Sequence, residues 1–109
     1  MRILPITLFI YSVFISQIAV AEDQTLEMPV MKDARVFYQD TEKRPFVTNF
    51  YTRATKQAVI DFYQQQLGEV LSQELKRGRL TLNFSKDETS YRVVISEQNN
   101  MRQVDIIAQ

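Results

Sequence analysis

Residues 79 to 108 place an apolar side chain at every second position in three runs, and the turns between the runs are too short for anything but antiparallel neighbours. Leu80, Leu82 and Phe84 alternate with Arg79, Thr81, Asn83 and Ser85. Tyr91, Val93 and Ile95 alternate with Arg92, Val94 and Ser96; Val104, Ile106 and Ala108 alternate with Gln103, Asp105 and Ile107. A period of two sends successive side chains to opposite faces of a strand. Lys76-Arg77-Gly78, Lys86-Asp87-Glu88-Thr89 and Gln98-Asn99-Asn100 supply the turns, and Gly78 takes a positive φ at little cost. The expectation is a meander with one packed face and one wet face.

Upstream the period changes. Lys56 to Leu67 carries good helix formers with a stripe at Ala58, Val59, Phe62, Tyr63 and Gln66-Leu67, one face of a helix. Thr52 or Thr55 serves as N-cap, and Gly68 stops the helix. Phe46 to Thr52 is rich in aromatic and β-branched residues and reads as a strand. Ala34 to Gln39 reads as a short extended piece, and residues 22–33 as an irregular lead-in. Residues 70–75 fit either a strand or a continuation of the helix. The predicted class is α+β: one antiparallel sheet of four to five strands, covered on one face by a single helix, in the order β-α-β-β-β-β.

The first 21 residues have the three parts of a cleavable secretory signal. Arg2 supplies the positive charge, Ile3 to about Ile15 the apolar stretch, and Ala19-Val20-Ala21 the small-residue cleavage site. Pro5, Ser12, Ser16 and Gln17 count against a permanent membrane span of the ~20 apolar residues a helix would need. The mature chain is then a single domain, residues 22–109, with no stable membrane span. Without cysteine it is neither a lipoprotein nor stapled by disulfides. Loss of Arg2 leaves it near neutral, with no electrostatic case for nucleic acid or anionic lipid. The expected location is periplasmic or secreted.

Several of these residues form a pattern. Met28-Pro29-Val30 through Ala34, Asn49-Phe50-Tyr51-Thr52, and Val59-Ile60-Asp61-Phe62-Tyr63 with Leu67-Gly68 resemble small exported bacterial domains of unknown function. Those domains carry an aromatic strand, a V-x-x-F-Y-x-x-x-L helix and a β-meander. The resemblance covers most of residues 28–109; it implies the fold above and no catalytic residues.

Missing residue types narrow the chemistry. With no His and no Cys, the usual zinc, haem, iron–sulfur and copper ligand sets cannot be assembled, nor can Ser–His or Cys–His nucleophile pairs. The two glycines serve as cap and turn, so no phosphate-binding glycine loop can be drawn. No cofactor or metal is expected. Carboxylate-only hydrolysis would draw on Asp40/Glu42, Asp87/Glu88 or Glu69/Glu74, but it requires carboxyls in contrasting environments and most of these fall in solvated turns. The chain reads as a non-enzymatic binding or interaction module.

Its candidate contacts are a basic cluster, Lys76, Arg77 and Arg79, joined by Arg92 and Arg102 if these share the polar sheet face. The partner class is an envelope protein or a glycan or lipid component. The same charges also suit a solvated hairpin, and an Arg92–Asp105 cross-strand pair would consume part of them. Val36, Phe37 and Tyr38 cannot all point inwards from a regular strand, so Phe37 or Tyr38 is a candidate exposed contact. An alternative function is a small-ligand or apolar-ligand binder using an aromatic groove near residues 28–38.

Overall fold

The computed structural model describes residues 28–109; the signal segment 1–21 and the start of the lead-in lie outside the described residues. The elements are β1 (Arg35–Asp40), β2 (Phe46–Thr52), α1 (Lys56–Leu67), β3 (Ser72–Lys76), β4 (Arg79–Lys86), β5 (Thr89–Gln98) and β6 (Met101–Ala108). All six strands form one antiparallel sheet in the order β1-β2-β6-β5-β4-β3. The α+β class and the single helix match the expectation.

The strand count and element order do not: the described residues hold six strands rather than four to five, in the order β-β-α-β-β-β-β. The extended piece at Ala34–Gln39 pairs with β2, becoming an edge strand. The ambiguous stretch resolves as β3 because Gly68, at φ 96°, ends the helix in a conformation that favours glycine. The Arg77-Gly78 turn then folds Ser72–Lys76 back on β4.

The turns follow their chemistry. Arg77 and Gly78 have φ of 55° and 79°, and Asp87 and Glu88 have 52° and 66°. Positive φ at both central residues is the two-residue geometry whose twist matches paired strands. Asn99 has φ 47°, a region that Asn tolerates better than most residues.

The packed face follows from the alternation. Phe50, Leu82, Phe84, Val93, Ile95, Val104 and Ile106 are buried along the middle of the sheet. Val59, Tyr63 and Leu67, spaced i, i+4, i+8, bury one stripe of α1 against them. Thr55 caps the helix, its hydroxyl accepting from the Ala58 amide at 3.1 Å. The Lys86 ammonium donates to the Gln66 carbonyl at 2.9 Å, tying the last turn to β4. Tyr63 is buried to its ring, and its hydroxyl donates to the Pro29 carbonyl at 2.8 Å. Removal from water pushes its ionisation well above the ordinary tyrosine range.

A helix of this length is about 18 Å long, whereas a six-stranded sheet is about 24 Å wide. The lead-in covers part of the remainder. Met28 is buried, and Val30, Met31 and Ala34 pack against the core. Asp33 pins the segment: one carboxylate oxygen accepts from the Thr52 hydroxyl at 2.6 Å, the other from the Arg53 amide at 3.0 Å. These two bonds hold the Asp33 carboxyl below the usual aspartate value. Leu71 and Leu75, 67% and 64% exposed, sit at the β3 edge with no such cover.

Candidate functional site

Among the described residues the face away from the helix is open, and the pairing register fixes which side chains share it. Directly opposed residues in antiparallel strands project to the same side. Three rows therefore cross the sheet from β1 to β3. The first runs Arg35, Tyr51, Gln103, Ser96, Arg79, Lys76; the second runs Tyr38, Asn49, Asp105, Val94, Thr81, Glu74. The third runs Asp40, Val47, Ile107, Arg92, Asn83, Ser72.

The rows separate two chemistries. At the β3–β5 end, Lys76, Arg77, Arg79 and Arg92 gather with Glu74 around a shallow depression of about 850 Å³, floored by Thr81, Asn83 and Val94. Four cations face one carboxylate. The four residues singled out from the sequence thus come together, with Arg92 delivered two strands away from Lys76 by register alone. No ion pair consumes them among the described residues. Arg92 opposes Ile107, not Asp105, so the expected Arg92–Asp105 pair does not form. Asp105 instead accepts from the Asn49 amide at 2.6 Å and from the Gln103 amide at 3.1 Å.

Arg102 does not belong to this group. It opposes Thr52 on one side and Glu97 on the other, in register with the covered face. Its guanidinium donates to the Ala54 carbonyl at 2.8 Å, the Arg53 carbonyl at 3.1 Å and Glu97 at 3.1 Å. It is a structural tie between β6 and the entry to the helix.

At the β1–β2 end the face is aromatic. The register between β1 and β2 slips by one residue between Val36 and Tyr38, leaving Phe37 as the extra residue of a bulge. A bulge places neighbouring side chains where strict alternation would separate them. Tyr38 opposes Asn49 on the open face, and Phe37 stacks on Tyr51 with ring centroids 4.6 Å apart and planes at 28°. Phe37 and Tyr38 are both exposed, 50% and 52%, where only one of them was expected to be. Tyr51 also borders a second depression, of about 550 Å³, with Arg53, Gln98, Asn99, Asn100 and Met101. Sequence reasoning did not single out Tyr51 or this amide-lined hairpin tip, because only the β2–β6 register brings them together.

The carboxylate pairs stay apart from any such arrangement. Asp87 and Glu88 form an exposed turn, the Asp40 carboxylate accepts from the Glu42 amide at 3.3 Å, and Glu69 and Glu74 are both exposed. Asp33, hydrogen-bonded in its charged form, is tuned the opposite way from a general acid. Among the described residues no group of three or more His, Cys, Asp or Glu side chains could hold a metal ion. None of their helices is long and apolar enough to cross a membrane.

Compared with protein-family models, curated proteins and solved structures, the chain shows no match. The resemblance to small exported domains remains a likeness of pattern.

Proposed function

We propose that the chain is a soluble, exported, non-catalytic binding module whose contact surface is the open sheet face, with an anionic component of the cell envelope as partner. The observation that carries this reading is the convergence of Lys76, Arg77, Arg79 and Arg92 on one depression that holds a single carboxylate. Clustered cations raise the local concentration of an anionic partner and steer its approach. The lack of His and Cys and the exposed setting of the paired carboxylates support a non-catalytic role.

Recovery of an envelope partner tests it. Immobilised residues 22–109 should retain an anionic component from an envelope extract, and an Arg77→Ala/Arg79→Ala variant should lose it. Equal retention by both proteins, or none by either, would count against the reading.

The alternative, a small-ligand binder near residues 28–38, is favoured by the exposure of Phe37 and Tyr38. Its groove cannot lie where Met28 fills the core beneath the lead-in, so the aromatic surface on the open face is its remaining seat. Native mass spectrometry of protein from its own host should show a retained ligand; a clean apo mass would reject it.

A further inference from the structure

We infer that the open face takes an acidic saccharide chain, with a sugar ring against the Phe37–Tyr51 aromatic pair and the negative groups on the cationic depression. This rests on the anion-binding reading above and names the partner's chemistry.

Cations alone suit any anion. The opposite end of the same face is what discriminates. An edge strand buries little, so core packing has no need of a bulge that brings both Phe37 and Tyr38 to solvent on one side. Bulges recur where a side chain is re-aimed for function. The result is a broad aromatic surface, with Phe37 stacked on Tyr51 and Tyr38 one strand position away. Aromatic faces carry negative charge density and attract the polarised C–H groups that line one side of a sugar ring.

The groups next to that surface suit hydroxyls. Gln98, Asn99 and Asn100 line the depression that Tyr51 borders, and Arg53 completes it. Side-chain amides both donate and accept, as hydroxyl-rich ligands require. Asn49, Gln103 and Asp105 hold one another in a hydrogen-bonded set between this corner and the cations. An acidic peptide would use the cations but has no comparable need for the aromatic and amide end.

The first row links the two ends directly. From Tyr51 it passes Gln103 and Ser96 to Arg79 and Lys76, four strand spacings or about 19 Å. The side chains between are short or amide-bearing, so an extended ligand can lie across the strands without a ridge in its path.

Three probes separate the contributions: a tetragalacturonate, which has sugar and charge; cellotetraose, which has sugar alone; and tetraglutamate, which has charge alone. Titration of residues 22–109, followed by amide NMR shifts and calorimetry, should show tetragalacturonate binding at least tenfold more tightly than either of the others. Phe37→Ala and Tyr51→Ala should each weaken it roughly tenfold, and Phe37→Tyr should restore it. Arg77→Ala/Arg79→Ala should remove its salt dependence. Circular dichroism checks folding, and wild-type Tyr51 ring shifts report contact without any substitution.

If tetraglutamate binds equally well, or tetragalacturonate binding ignores Phe37 and Tyr51 and moves only β3–β5 signals, the saccharide assignment falls while the anion reading stands. If cellotetraose binds as tightly as the uronide, or neither anion binds, the anion reading falls with it.

Discussion

Phe50 and Tyr51 are neighbours on β2, yet they belong to two different surfaces. Phe50 has no exposure and is enclosed by the helix side of the sheet, while Tyr51 is half-buried on the open side beneath Phe37. The covered face is continuous, apolar and tied down at its margin by Asp33, Tyr63 and Arg102. The open face is polar in its middle, cationic at one end and aromatic at the other. The same alternation generates both, so one set of strands carries the packed core on one side and leaves the other towards solvent.

That division is most exposed to failure at the pair itself. Phe50→Ala should cost about 3–5 kcal/mol in urea unfolding, as expected for a large core truncation. Tyr51→Ala should cost about 1 kcal/mol, since a partly exposed surface pair loses less. Comparable losses would mean that the open face also carries the fold.

A smaller effect is expected at the margin. Asp33→Asn removes the charged acceptor of two hydrogen bonds and should lower stability at pH 7 by about 1 kcal/mol, a value discounted for the exposure of the site. The folded carboxyl titrates below the ordinary aspartate value of 3.8, so its contribution is complete above that pH. It is lost as pH falls through the lower folded value. The gap between wild type and variant should hold from pH 5 to 8 and close below 3.8. A gap that persists in acid would show that the charge is not its source.

The smallest effect is a gain. The Thr48 hydroxyl is buried on the covered face with no hydrogen-bond partner among the described residues. Thr48→Val keeps the shape and removes an unsatisfied group, and it should raise stability by about 1 kcal/mol in the same assay. A loss instead would reveal a partner for the hydroxyl.

Legibility also divides along physical lines. The runs at 80–84, 91–95 and 104–108 were readable because burial on one face forces a period of two. The helix was readable because Val59, Tyr63 and Leu67 repeat at its own period. β3 was not: Ser-Gln-Glu-Leu-Lys lies at a sheet edge beyond the helix, exposed throughout, so no burial pattern is imposed on it. β1 reads from the sequence as an extended piece but not as a strand of the sheet, since the extra residue at Phe37 breaks the alternation that would have marked it. In the candidate site, Lys76, Arg77 and Arg79 were visible because one hairpin tip carries them together. Arg92 joins them through register, Tyr51 meets Phe37 through a bulge, and Arg102 turns to the covered face; none of these is encoded in local spacing.

The place of β6 has a consequence for how the sheet is held together. Residues 101–108 follow the other described strands in sequence, yet they lie between β2 and β5, with Ala108 facing Phe46 on one side and Tyr91 on the other. Apart from β6, the β1–β2 hairpin and the β3–β4–β5 meander share no edge. The continuity of the sheet therefore rests on β6, the one strand that joins its two parts.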